Sequence, residues 1–320
     1  MQIPFYLQKV KQKIGKDFYI TFYNAGHVPG SVSILIEVDG KKILYTGDIN
    51  TQETNLINGA KPINFPEVDS LIIESTYALR NHPDRSQLER EFIEGVITTI
   101  ENGGRVLIPA FGVARSQEAL MILEKYGFRG KIFLDGLAKL VSKVYMNYPN
   151  SLKDLNSFKS AVKRSHFVNR KRMRSKVKKT SGVIISPSGM LKGGAAMEYI
   201  RPILRDPNSA IYLVGYQVEG TPGRGLVDNN TFEFKENNRN RKSDYDMNID
   251  ARCDVAHYDF SSHADGKKLK NFTSQINFHN SSKSIFCVHG DNKSTTTLAS
   301  EFAEEGYHSV APEIGEIYSL

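Results

Sequence analysis

Cysteine is scarce in this sequence: Cys253 and Cys287 are the only two among 320 residues. Two thiols so placed match neither the spacing of a zinc ribbon nor a disulfide-stapled secreted domain, so a reducing, cytoplasmic setting is expected. Long hydrophobic runs are missing as well, and none approaches the ~18–20 residues of a membrane span. The opening residues, MQIPFYLQKVKQ, hold no apolar signal-peptide core. A soluble protein with no membrane role is the expectation. No internal repeat or low-complexity segment is visible. Histidine does not occur before His27, and Asp17 is the only acidic side chain ahead of it.

What is present is ordinary in bulk. With 40% hydrophobic and 24% charged residues, the chain reads as globular rather than disordered or fibrous. Its length exceeds the roughly 100–200 residues expected of one domain, which predicts two domains or one carrying a large insertion. A formal charge of +7 and a pI near 9.1 suit a polyanionic partner, although a lysine-rich proteome would give the same balance.

From Tyr19 the pattern is strand and turn. FYITFY is followed by SVSILIEVDGKKILYTGD, where Asp39-Gly40 between two β-rich runs predicts a hairpin. DSLIIEST reads as a short buried strand ending on Glu74, a position where layered sheets commonly carry active-site groups. Beyond it, helix-period segments over 87–102, 114–126 and 137–148 alternate with the strands GRVLIPAF and GKIFLDG, which predicts a parallel βα arrangement. Ser86 with Glu89 suggests a capping box for the first of these helices. Two more strands, SGVIISPS and SAIYLVGYQ, end in Gly-rich turns, and a polar stretch over 228–250 reads as a loop or hairpin. Strand character returns in ARCDVAHYDF and SIFCVHG, with helices predicted over 267–276 and 295–305.

Four stretches place a polar side chain in a turn beside an apolar strand: NAGHVPGS, YTGD, FSSHAD and VHGD. They mark His27, Asp48, His263 and His289, and imidazole with carboxylate is the ligand chemistry of zinc or manganese. A lone histidine in such a turn is ordinarily a capping or hydrogen-bonding residue, and Asp after Gly is common turn chemistry. The set carries more weight than its members. His82, His166, His279 and His308 lie in polar or helical surroundings, whereas these three histidines share Gly/Ser-rich strand-end turns.

The stretches AGHVPGS, LYTGDI, IIESTYA, GGRVLIPAFGVARSQE, ISPSGMLKGG, GYQVEGTPGR, DFSSHAD and VHGD resemble, in order, the β-CASP branch of the metallo-β-lactamase superfamily. That branch includes RNase J and the endonuclease subunit of the cleavage and polyadenylation specificity factor. ESTYA and GYQVEGTPGR are more similar to the polyadenylation-factor and archaeal homologues than to RNase J. The resemblance implies a metal-dependent ribonuclease acting in RNA processing, 3′-end maturation or decay, with two zinc ions, or manganese, as cofactors. It implies that His27 binds one ion, that Asp48 bridges two and that His289 binds the second. His263 would be the general acid that protonates the leaving oxygen, held by Glu74, an arrangement that orients an imidazole and fixes its tautomer. Relatives of this kind often form homo-dimers.

Three departures stand out. Ser262 and Asp291 replace the more usual Ala and Glu and keep size or charge similar. The third is larger: the family's His-x-His-x-Asp-His motif, expected well upstream of His27, does not occur in this sequence. Two readings follow. In one, a second polypeptide carries the missing strands and motif and completes a zinc-dependent ribonuclease. In the other, the chain is a catalytically inactive homologue that binds RNA or serves as a scaffold subunit. Retention of His27, Asp48, Glu74, His263 and His289 in intact motifs favours the first.

Between Lys159 and Lys179 the chain carries ten Lys or Arg residues and no Asp or Glu, a run that would attract a phosphate backbone or form a solvated helix face. Arg170, Lys171, Arg172 and Arg174 are its RNA-binding candidates. Arg115, Ser188 and Lys192, in the Gly-rich motifs that the resemblance places along the RNA, join them. The expected fold is α/β: an incomplete metallo-β-lactamase αββα sandwich, 1–77 and 251–320, with an inserted β-CASP α/β domain, 78–250. A sandwich without its early strands would expose edges and apolar surface that a partner must cover.

Overall fold

A computed structural model describes residues 9–234, 247–279 and 283–319. The beginning of the first expected domain, 1–8, and the middle of the polar 228–250 stretch lie outside them. The chain divides into two compact units, one of 1–82, 150–153 and 262–320, the other of 83–149 and 154–261.

The first unit is built on one seven-stranded sheet. Its opening strands are β1 (Gln12–Gly15), β2 (Phe18–Asn24), β3 (Val32–Val38) and β4 (Lys41–Tyr45), followed by β5 (Ser70–Glu74). The first four form an antiparallel meander. Asp39 and Gly40 both have positive φ, 48° and 81°, the geometry of the tight turn that the Asp-Gly pair predicts.

In the second unit, helices and strands alternate: α1 (Arg85–Glu101), β6 (Arg105–Pro109), α2 (Arg115–Lys125), β7 (Ile132–Leu134), α3 (Leu137–Met146), α4 (Leu155–Arg164), β8 (His166–Phe167), α5 (Lys171–Val177), β9 (Gly182–Ser186), α6 (Met197–Leu204), β10 (Ala210–Leu213) and α7 (Pro222–Asn229). The antiparallel pair β11 (Thr231–Phe234) and β12 (Met247–Asp250) flanks the undescribed part of the polar stretch, and β13 (Asp254–His257) follows. The chain then returns to the first unit as α8 (Gly266–Ser274), β14 (Ser284–Val288), α9 (Asn292–Glu304) and β15 (His308–Val310).

Strand order in the first sheet is β1-β2-β3-β4-β5-β14-β15, and the last four strands run parallel. Alternation along each strand sends Leu35, Leu44, Leu71, Ile73, Ile285 and Cys287 into one core with Leu269 and Phe272 of α8 and Leu298 and Phe302 of α9. Their neighbours point the other way. Among the described residues the expected sandwich is therefore represented by one sheet, with helices on one of its faces.

The second sheet has the order β13-β10-β6-β9-β7-β8, every pair parallel. Val106–Ile108, Val183–Ile185 and 210–213 are buried throughout, as strands covered on both faces must be. Residues 251–261, grouped with the first part on sequence, lie in this second unit, because β13 pairs along β10 from Ala210↔Asp254 to Leu213↔His257.

One helix start differs from the sequence expectation. Asp84, not Ser86, caps α1 by accepting from Gln87 N. Glu89, itself buried, is turned inward instead of closing a capping box, since it answers Arg85 and Lys125.

Candidate active site

The first sheet's parallel strands β4, β5 and β14 lie side by side, and their carboxyl ends share one edge. Asp48 follows β4 after Thr46 and Gly47, Glu74 is the last residue of β5, and His289 is the first residue beyond β14. Register places Val288 opposite Glu74. His289 has a left-handed backbone, φ 52°, which is uncommon for a residue with a Cβ. Its carbonyl is held there by Ser75 N at 3.1 Å and Thr76 Oγ1 at 3.2 Å.

His27 reaches the same edge from the turn after β2. Gly26, at φ 72°, forms a bridge with Ile49, and a Cβ on it would lie 2.2 Å from the Asn50 carbonyl oxygen. Glycine is thus required for the turn to come this close to the chain leaving Asp48. The His27 Nδ1 faces the Ser262 carbonyl at 3.0 Å. A carbonyl only accepts, so Nδ1 carries the proton and Nε2 presents its lone pair.

These side chains converge. His289 Nε2 lies 3.1 Å from one Asp48 oxygen and His27 Nε2 3.7 Å from the other. His263 lies near both rings, with centroids 4.4 Å from His27 and 6.2 Å from His289. Its Nδ1 donates to Glu74, 2.8 Å from Oε2 and 3.0 Å from Oε1. Glu74 is buried, and its Oε1 also accepts from Ile49 N at 2.6 Å. Both contacts fix the carboxylate, and through it the His263 ring.

His82, which its polar surroundings set aside on sequence, belongs to this site. Its Nε2 donates to the His263 carbonyl at 3.0 Å, its backbone N–H donates to Asp265 at 3.1 Å, and its ring packs on Tyr77. Asp265 also caps α8 through Lys268 N. Burial opposes the Asp265 charge, but the Lys268 side chain and the two backbone N–H groups outweigh it and hold its carboxyl below the usual range. Nothing local in RNHPD announces this contact, which joins positions 181 residues apart.

Donor atoms of His27, Asp48 and His263 lie within 4.8 Å of one another, and His289 Nε2 adds a further donor 3.1 Å from Asp48. With His263 Nδ1 committed to Glu74, His27, Asp48 and His289 are the set able to hold a metal ion. The donor set is nitrogen and carboxylate oxygen, and the His27 lone pair faces an anionic oxygen across a gap that a cation would satisfy. That chemistry fits zinc or manganese.

The remaining candidates lie in the second unit. Arg170, Lys171 and Arg172 are exposed where β8 gives way to α5, and Lys192 is exposed in the turn after β9. Arg174 turns inward: it binds fully buried Asp135 at 2.7 Å and reaches Glu198 at 3.4 Å. Tyr199 and Gly136 N also donate to Asp135, and Lys139 stands 3.7 Å from it. Arg115 is buried and donates to the Phe260 carbonyl at 2.7 Å. The Ser188 hydroxyl is buried without a hydrogen-bond partner among the described residues.

Comparison with known proteins agrees with this layout. Residues 116–226 match the Beta-Casp domain, and residues 248–312 match the Zn-dependent metallo-hydrolase RNA specificity domain. The chain is 33% identical over 311 residues to a protein of Methanocaldococcus jannaschii named probable RNase MJ4, covering 95% of this chain and 69% of that protein. It is 33% identical over 302 residues to RNase aCSPSF2 of Saccharolobus solfataricus, covering 94% of this chain and 58% of the relative. Transcription termination factor FttA of Methanothermobacter thermautotrophicus is 32% identical over 308 residues, with 90% of this chain and 47% of that protein covered. The chain thus spans between 47% and 69% of the length of these curated relatives. On the matched domains, the relatives and the fold, the chain belongs to the β-CASP family of the metallo-β-lactamase superfamily.

Proposed function

We propose that this chain supplies the acid catalyst, the bridging carboxylate and one terminal metal ligand of a zinc-dependent ribonuclease that hydrolyses RNA phosphodiester bonds. The observation that carries this reading is the buried Glu74 carboxylate bonded to His263 Nδ1 beside the His27–Asp48–His289 cluster. With Nδ1 anchored, Nε2 is the atom through which His263 donates a proton to the leaving oxygen. Glu74 holds the ring in that tautomer and supports the imidazolium form. His82 fixes the His263 main chain, so the donor does not drift from the scissile bond. His27, Asp48 and His289 would hold metal. Zinc, when bound, supplies an activated water and neutralises charge developing on the phosphate.

The His-x-His-x-Asp-His residues that relatives of this kind use are not in this sequence. We propose that they come from a further segment, on a separate polypeptide or joined to this one. An apolar row supports this: Ile34, Tyr45, Ile72 and Phe286 are register neighbours across β3, β4, β5 and β14, on the sheet face opposite α8 and α9. None of the four is fully buried, as expected of a surface that another layer covers. In the second unit, Arg170, Lys171, Arg172 and Lys192 are the proposed phosphate contacts, with Arg115 and Ser188 shaping the turns beside them.

The test is reconstitution. The chain combined with a segment bearing the missing motif is expected to retain about two zinc ions by elemental analysis and to cleave RNA. His263→Ala should keep the metal and lose turnover by about 100-fold or more, whereas His289→Ala should lose metal. Full activity after His263→Ala, or a reconstituted complex that binds RNA free of metal, overturns the reading.

A further inference from the structure

All six strands of the second sheet are parallel, so their carboxyl ends lie along one edge. In open parallel sheets that edge is where ligands bind. Here it carries an unusual set of side chains. Phe111, just beyond β6, is 40% exposed, and Tyr216, just beyond β10, is 41% exposed. Val113, Val218 and Leu137 accompany them, also exposed. Single exposed apolar residues are normal, but a group at one strand-end edge marks a binding surface.

The Phe111 ring is held in place. Phe111 lies against the strand-end glycines of both neighbouring strands: a Cβ on Gly189 would stand 3.3 Å from its ring, and one on Gly215 would stand 3.5 Å away. Buried Gln217 ties those turns together, donating through Nε2 to the Gly189 carbonyl at 3.0 Å and the Gly215 carbonyl at 2.9 Å. The same edge continues through Lys192 after β9 to Arg170, Lys171 and Arg172 after β8.

We infer that Phe111 and Tyr216 form a base-stacking platform for single-stranded RNA, with the exposed cations farther along the edge taking its phosphates. Aromatic faces bind any base, because every base has a π-face, and cations track the backbone. This combination favours RNA over an apolar protein partner, for which a row of exposed cations on the same edge has no use. The inference rests on the RNA reading above and goes beyond it by naming where bases, rather than phosphates, are held.

The test uses the 320-residue chain and a short labelled oligouridylate, with affinity read by fluorescence anisotropy across a salt series. Phe111→Ala and Tyr216→Ala are each expected to weaken binding roughly 5- to 100-fold while leaving the salt slope unchanged, since no phosphate contact is lost. A ribose-phosphate oligomer without bases should bind the wild type and both variants alike. Phe111→Leu, which keeps an apolar side chain in the seat, should lose affinity as Phe111→Ala does. The chain contains no tryptophan, so Phe111→Trp introduces a sole tryptophan, selectively excited apart from the tyrosines, whose emission oligouridylate should quench. Wild-type binding with no loss in Phe111→Ala, Phe111→Leu and Tyr216→Ala overturns the platform alone. Absence of RNA binding by the wild type overturns the RNA reading itself. Loss of self-association in Phe111→Ala with unchanged RNA affinity would assign the face to a second copy and also overturn the proposal.

Discussion

Glu74 has its two oxygens committed, one to Ile49 N at 2.6 Å and one to His263 Nδ1 at 2.8 Å, in a setting where a lost bond is not replaced by water. Glu74→Gln keeps the shape but removes the charge, and its amide can meet His263 with a donor instead of an acceptor. In the reconstituted enzyme this substitution should lower turnover about 10–100-fold with metal content unchanged, the usual scale for partners that orient a reacting group. A turnover equal to wild type would mean that the imidazole needs no such support. At the same scale, burial pushes both thiols up to about 12, which leaves Cys253 and Cys287 without the thiolate character that metal binding or disulfide exchange requires.

At the level of elements, α1 and α2 are joined by a charge cluster around two buried carboxylates. Arg85 pairs with Glu89 at 2.7 Å and with Glu118, Lys125 meets the other Glu89 oxygen at 2.7 Å, and the Arg85 guanidinium stacks over Phe260 at 4.3 Å. Both carboxylates are 2% exposed. Arg85→Ala removes the cation that the two buried carboxylates share, and urea unfolding is expected to show a loss of about 3–5 kcal/mol. A loss under ~1 kcal/mol, typical of a surface pair, would show that water reaches the site. The periodicity that predicts α1 is legible in its sequence. Its start is not, because Asp84 and Ser86 are both competent caps and the choice between them depends on Glu89 being drawn into this ion cluster.

Over the whole molecule, acid should act on both units through different carboxylates. Asp135 is opposed by burial, yet the bonds from Arg174, Tyr199 and Gly136 N outweigh it and hold the carboxyl below its usual range. Asp265 is held low in the first unit. A depressed folded pKa contributes stability that is fully present above the ordinary carboxyl value of about 4 and is lost as pH falls through the lower folded value. The urea midpoint is therefore expected to be flat near neutrality and to fall below about pH 4. Asp135→Asn should flatten part of that fall while lowering stability at neutral pH. A midpoint that rises on acidification would contradict the assignment.

The sequence alone determined the strands, the tight turn at Asp39-Gly40 and the strand-end placing of His27, Asp48, Glu74 and His289, because each depends on alternation, turn chemistry and spacing within a few residues. Only the tertiary structure decided what depends on distant pairing. Parallel hydrogen bonding to β10 carried β13 into the second sheet. A buried carboxylate at position 135 drew Arg174 inward from a run that reads as uniformly basic. His82 came to rest on the His263 main chain, and Phe111 and Tyr216 met at one edge, because six parallel strands bring their carboxyl ends together however far apart those ends lie along the chain.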